Sequence, residues 1–216
     1  PGLELHYTEW SSSYTPSDPL HDSYHEAAYI LQKIKQVGNS ANSMSYWVFS
    51  DIFEEHGQVS GEFRGGFGLQ TIHGIPKPVY RAFELMHQLG EERLPKVEEQ
   101  GHVGICPIVD KEGSLAILVY NQEMIGKSVS EEKVEIHIKN APGKKAEIQR
   151  IDDNHANAKK QWEEMGCPTY PTPAQVKELK EASELKTEEL PVKVEGEEAV
   201  LEFALPAYGV ALIKLV

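Results

Sequence analysis

Two small groups of residues in the first quarter of the chain could do chemistry. Glu9 is a lone carboxylate between the alternating run Leu3 to Thr8 and a serine-rich loop. Asp51, Glu54 and Glu55 form a second acidic group, a few residues after Trp47 and Phe49. A carboxylate can attack an electrophilic carbon, transfer a proton, or accept hydrogen bonds from sugar hydroxyls. The ring faces of Trp47 and Phe49 suit the flat C–H faces of a pyranose, and a two-residue register would set Trp47, Phe49 and Asp51 facing as one group. Each residue also has a plainer reading. An acid beside a loop is more often solvated or caps a helix, Glu54-Glu55-His56 can be a charged turn, and a tryptophan in an apolar strand is most often core.

Other chemistries have less to stand on. His25-Glu26 begins like a zinc-helix motif, but the fourth following residue is Tyr29 rather than a second histidine. Gly65, Gly66 and Gly68 are not followed by Gly-Lys-Ser/Thr, so tight turning is the better reading than a phosphate loop. No Gly-x-Ser-x-Gly occurs to support a serine hydrolase. Cys106 and Cys167 are too few for a disulfide framework and lack paired zinc spacing. No metal and no cofactor is expected.

The elements that must position these acids can be read from the pattern. Leu3, Leu5 and Tyr7 alternate with Glu4, His6 and Thr8, which predicts a strand that delivers Glu9 at its end. Ser23 and Glu26 have the spacing of a capping box. Ala27, Ile30, Leu31, Ile34 and Val37 then fall on one helical face, and Gly38 supplies a C-cap. Residues 43–51 predict a second strand that again ends on an acid. Strand, helix and strand make a βαβ unit, whose parallel strands require the crossover. Residues 51–75 form a long connection of the kind that carries function. Pro78 suits the first turn of a last helix running to Gly90. Beyond about residue 95 the period becomes two. Three pairs of runs, around Lys111-Glu112-Gly113, around 141–144 and around 206–209, predict three hairpins and a six-stranded β-sandwich. Residues 154–190 are charged and broken by Pro168, Pro171 and Pro173, and predict two short helices. His102, His137 and His155 read as structural or surface residues.

The strings LHYTEW, SYWVFSDIFEE, GGFGLQTIHGIPKPVYRAFELMHQLG and IDDNHANAKKQWEEMGCPTYPTPAQVKEL together resemble glycoside hydrolase family 39, the β-xylosidases and α-L-iduronidases. They run in the family's order over essentially the whole chain, and the FEE pair and GGFGL loop look more like the β-xylosidases. The resemblance implies an α/β plus all-β chain: the C-terminal part of a (β/α)8 barrel, its last two βα units, over residues 1–93, then a β-sandwich accessory domain over 94–216 with a helical insertion at about 154–190. It implies double displacement with Glu9 as nucleophile, cleaving β-1,4-linked xylose from xylooligosaccharides. Trp47 would floor the sugar pocket, Glu54 and Glu55 would hold sugar hydroxyls, and Tyr14 would add a hydrogen bond. Related barrel hydrolases also carry a cis bond after the tryptophan at this strand end, so Trp47–Val48 is expected to be cis.

One departure from the family bears on catalysis. The acid/base glutamate follows an asparagine near the fourth strand in the family, and this chain has no Asn-Glu-Pro. The chain opens on Pro1 in mid-protein style, and six upstream strands are expected to be missing. The expected partner is therefore the N-terminal barrel portion or another copy of the chain in an oligomer, besides a xylose-containing oligosaccharide. A non-catalytic sugar-binding module and a structural fragment are the competing readings. The 216 residues carry 21 basic and 34 acidic side chains, a net charge of −13. That balance argues against nucleic acid, which needs clustered Lys and Arg. No apolar run approaches the ~20 residues of a membrane span. Two cysteines read as reduced thiols, which predicts a cytoplasmic location; the lack of a visible signal peptide is uninformative in a chain that opens on Pro1.

Overall fold

A computed structural model of the chain describes residues 2–53, 57, 60–94, 97–99, 101–123, 127–141 and 145–215. Strand β1 (His6–Trp10) leads through a 3-10 turn at Pro19–Asp22 into helix α1 (Tyr24–Val37), and strand β2 (Ser43–Tyr46) follows. β1 and β2 pair in parallel, as the strand–helix–strand order predicts. Gly38 closes α1 at a φ of 49°, the backbone that favours glycine. Helix α2 (Pro78–His87) begins on its proline. Among the described residues this parallel sheet has two strands and does not close into a barrel.

The expected second strand is shorter than its pattern. β2 ends at Tyr46, and residues 48–51 pair instead with the glycine-rich segment. Val48 N–H donates to Phe67 O at 2.8 Å, Leu69 N–H to Val48 O at 2.8 Å, and Asp51 N–H to Gln70 O at 2.9 Å. This approach explains Gly68: a Cβ there would lie 2.2 Å from the Asp51 nitrogen.

The rest of the chain forms two antiparallel sheets. In chain order they comprise β3 (Glu92–Arg93), β4 (Val103–Val109), β5 (Leu115–Asn121), β6 (Glu132–Lys139) and β7 (Ala146–Ile151). Helices α3 (Ala158–Glu164) and α4 (Pro173–Ala182) come next, as the charged stretch predicts. Strands β8 (Thr187–Leu190), β9 (Val192–Glu195), β10 (Glu198–Leu205) and β11 (Val210–Leu215) complete it. One sheet has the order β3-β4-β5-β11-β7-β8 and the other β6-β10-β9.

Of the three expected hairpins, only β4–β5 pairs as one. β6 pairs with β10, and β7 pairs with β11 and β8, so the second and third pairs of runs each cross from one sheet to the other. Alternation specifies that a strand has a buried face but is silent about its neighbour. Crossing lets the inner faces of both sheets bury one another: Leu115, Ile117, Val119, Ile148 and Ile213 meet Ile136, Leu201, Phe203 and Leu205. β8 and β9 lie where the pattern predicts a helical insertion and a loop, because half of their residues are charged and most are exposed.

The larger sheet is covered on its other side as well. Ala116, Leu118, Tyr120, Val210 and Leu212, the alternate residues of β5 and β11, pack against Ala27, Ala28, Leu31, Ala82 and Leu85 of α1 and α2. Alanines on both helices let them approach the sheet closely. Gln32 on α1 adds a bond from its Nε2 to Gln122 O at 3.0 Å. The two parts of the chain therefore share one core. A third cluster joins Phe63 and Ile75 of the rim connection to Ala158, Trp162 and Leu179 of the helical insertion.

Candidate active site

Glu9 lies within an irregular stretch of the β1–β2 register. His6 lies opposite Ser43, Tyr7 opposite Met44, and Trp10 opposite Tyr46, so three steps along β1 match two along β2. This is the two-against-one pattern of a β-bulge, a device that re-aims side chains beside active sites. Trp10 shares the face of Tyr46, whose ring meets Phe83 of α2 edge-on at 5.8 Å. Glu9, its strand neighbour, is exposed. The pattern predicts a strand end at Glu9, and β1 runs one residue further.

Trp47 stands beside this strand end. Its N–H donates to Trp10 O at 3.0 Å, so the residue after Glu9 and the first residue past β2 are bonded directly. The indole is half-buried and meets Phe53 edge-on at 5.1 Å. The Trp47–Val48 peptide is cis, as expected. Trp47, Phe49 and Asp51 do not face as a set, however. Phe49 is 62% exposed while Asp51 is buried, because the chain has left the strand to pair with residues 67–70. Tyr14 is 94% exposed on the loop after β1. Glu54 and Glu55 lie outside the described residues.

Beneath this rim is a group of buried charges that the sequence pattern does not single out. Lys77 Nζ is fully buried, 2.7 Å from Asp22 Oδ1, 2.9 Å from Asp51 Oδ2 and 2.8 Å from Gly66 O. Gly65 N–H donates to Asp22 Oδ2 at 2.5 Å and Gly68 N–H to Asp51 Oδ1 at 2.8 Å. The loop glycines thus spend their amides on two aspartates. Burial pushes the Asp51 carboxyl up, with Lys77 pulling the other way. Burial would lower Lys77, but Asp22 and Asp51 outweigh it and the ammonium is held above its ordinary value. Beside them, the buried His21 ring places Nδ1 2.9 Å from Gly65 O and Nε2 3.0 Å from Ser13 O, tying the loop after β1 to the glycine loop.

The expected capping box at Ser23 and Glu26 does not form. Ser23 makes no side-chain cap, and its hydroxyl donates to Leu20 O at 2.8 Å. Glu26 is buried and accepts from Ser12 N–H at 3.1 Å and from the Tyr46 hydroxyl at 3.2 Å, both on Oε1. Burial, then the nearby Glu26 carboxylate, holds the Tyr46 hydroxyl well above its ordinary range, so it remains a donor. A glutamate three residues after a serine suits both uses, and a local pattern cannot reveal that the strand ends offer it better partners.

This arrangement defines a class of protein: a carboxylate at the end of a parallel strand, an aromatic at the end of the next, and a glycine-rich connection locked behind them. The chain belongs to glycosyl hydrolases family 39, whose model matches residues 1–199. It is 39% identical over 191 residues to a β-xylosidase of Caldicellulosiruptor saccharolyticus, a match spanning 87% of this chain and 39% of that protein. A β-xylosidase of Geobacillus stearothermophilus is 36% identical over 183 residues, spanning 84% and 35% respectively. Among solved structures, a family 39 β-xylosidase from Caulobacter crescentus superposes with a TM-score of 0.82 at 34% identity, covering all of this chain and 44% of that one. The chain thus spans less than half the length of these relatives.

Proposed function

We propose that this chain is the nucleophile-bearing portion of a retaining β-xylosidase-like hydrolase. Residues 1–93 supply the last two βα units of a (β/α)8 barrel, and residues 94–216 the accessory β-sandwich with its insertion at about 154–190. The observation that supports this reading is an exposed Glu9 near the end of a strand that pairs in parallel with β2, next to Trp47 across the Trp47 N–H to Trp10 O bond. Support also comes from the open edge of β1, which among the described strands pairs with β2 alone, and from the exposed apolar side chains of Leu3, Leu5 and Tyr7 next to it. The occupant proposed for that edge is the upstream barrel portion, with a second copy of the chain as the other outcome.

In the closed barrel Glu9 attacks the anomeric carbon of a β-xyloside as the leaving-group oxygen takes a proton from a carboxylic acid on the upstream portion. A glycosyl-enzyme forms, and water activated by the same acid/base hydrolyses it with net retention. Trp47 lies under the sugar, while Tyr14, Glu54 and Glu55 bind its hydroxyls. The lone chain should not hydrolyse an aryl β-xyloside, since general acid catalysis alone supplies ~10²–10⁴ in rate. Supplying the upstream strands should restore turnover. There Glu9→Ala should abolish it, and azide should partly restore cleavage with an inverted glycosyl azide product. Robust cleavage by the lone chain, insensitive to Glu9→Ala, overturns the reading.

A further inference from the structure

Glu26 sits where the two strand ends meet, and one of its oxygens serves both. Oε1 accepts the Ser12 N–H and the Tyr46 hydroxyl. Ser12 lies three residues past Glu9, and Tyr46 immediately precedes Trp47. Trp47 N–H in turn donates to Trp10 O, and the Trp10 and Tyr46 rings meet edge-on at 6.3 Å. These contacts form a closed circuit running from Glu26 to Ser12, back to Trp10, across to Trp47 and Tyr46, and home to Glu26. The circuit contains the backbone just after the proposed nucleophile, and the proposed sugar floor with the residue before it. We infer that Glu26 is a positioning residue that fixes Glu9 relative to Trp47. The inference rests on the reading of Glu9 as nucleophile.

The chemistry favours this over a purely structural role. A buried carboxylate is costly, and the two bonds on Glu26 Oε1 offset only part of that cost, because Oε2 is buried with no hydrogen-bond partner. An apolar residue at this position would fill the same space on α1 at less cost. What it could not do is hold two separate strand ends by one atom. Reactivity is sensitive to such placement, because a misplacement of ~1 Å can cost about 10²-fold in rate. The effect should fall on the chemical step, since Glu26 reaches the sugar only through Glu9 and Trp47.

Two measurements test this. In the lone chain, amide hydrogen exchange at Ser12 and Trp47 should quicken at least about tenfold in Glu26→Leu, as expected when a local bond opens. Exchange at Val119 in the buried centre of β5 should stay unchanged, which shows that the fold is intact. With the upstream barrel strands supplied, Glu26→Leu should lower kcat for an aryl β-xyloside by about 10- to 100-fold with KM within about threefold. Glu26→Gln keeps an acceptor oxygen and should recover most of that loss. Tyr46→Phe removes one bond without emptying the site, and should lower kcat by about three- to tenfold. It serves as the test should Glu26→Leu fail to fold. Unchanged kcat in Tyr46→Phe and Glu26→Leu, where Glu9→Ala abolishes turnover, overturns the positioning role alone. Turnover that survives Glu9→Ala, or none by the wild type, overturns the proposed function and this role with it.

Discussion

Strand β5 has all seven of its residues buried, whereas four of the five residues of β1 are exposed. The two regions also bury different chemistry. The sheet layers hide Ile117, Val119, Ile148, Leu201 and Ile213, with few polar groups beyond Asn121, Gln122 and Asp152. The strand–helix region hides His21, Asp22, Glu26, Asp51, Glu62 and Lys77. Apolar burial is non-directional and tolerates changes of shape at modest cost. Buried charge is favourable only when its partners are in place, so it specifies direction. The sheets therefore act as an anchor, and the rim that carries Glu9 and Trp47 is set by charge on that anchor through α1 and α2.

The sharpest way to break this contrast is to remove the cation at its centre. Lys77→Met keeps the length and volume of the side chain but leaves Asp22 and Asp51 facing each other in a buried site. Removing one partner of a buried ion pair costs about 3–5 kcal/mol, and two stranded carboxylates place this variant at the upper end. Urea unfolding should register that loss. Hydrogen exchange should show the 65–70 segment opening before β5 and β11. A loss of less than ~1 kcal/mol would mean that the cluster does not hold the rim.

Much of this architecture is legible in local pattern, and the exceptions share a cause. Helix α1 with Gly38, helix α2 with Pro78, the parallel β1–β2 pair and the two insertion helices follow from periodicity and caps that act within a few residues. Lys77 leaves no local signal, because a lysine between two prolines at a helix start resembles a surface residue. Its partner Asp51 lies 26 residues away, and Asp22 further still. The capping box failed for the same reason: Ser12 and Tyr46 are 14 and 20 residues from Glu26. The mispaired hairpins repeat the point, since the partner of a strand is fixed by two faces meeting in space. Glu9 and Trp47 stand at strand ends, where chemistry-bearing residues leave a sequence-local trace. The charges that hold them do not.

The anchor should respond more gently. Ile213 is buried in β11 between β5 and β7. Ile213→Val removes one methylene, and the expected cost is about 0.5–1.5 kcal/mol with an unchanged urea dependence. A cost matching that of Lys77→Met would erase the distinction between the regions.

Glu26 sharpens the comparison through pH. Burial raises its carboxyl above the ordinary range, partly offset by the Ser12 bonds and the His21 ring. The native state then holds this proton more tightly than the unfolded chain, so stability falls as pH rises between the two values. The contribution is fully present below the ordinary carboxylate range and is lost as pH rises through the folded value. Relative to Glu26→Gln, which cannot titrate, the wild type should therefore lose stability from about pH 4 upward. Asp51 is common to both proteins and cancels. Paired unfolding curves across that range check the sign, and a flat difference would mean that the carboxylate is not desolvated.

The smallest effect should come from charges on the outer face of β10, where the same residue types stand in water. Glu202 Oε1 lies 2.5 Å from Lys193 Nζ and its Oε2 lies 3.2 Å from Lys133 Nζ. The bond from Lys193, then that from Lys133, holds the carboxyl below its ordinary value, so any stabilisation is present at neutral pH and fades as pH falls through the folded value. Both lysines are mostly exposed, and such pairs gain little after solvent screening and the cost of ordering long side chains. Glu202→Gln should leave the urea midpoint unchanged at a physiological ionic strength, where the screening length is about 8 Å, and lower it slightly only in dilute salt. Compared at one pH with Lys77→Met, this variant separates burial from charge. A loss as large as that at Lys77, and one that persists in high salt, would show that ion pairs matter in this chain wherever they occur, and the contrast between rim and anchor would have to rest on apolar packing alone.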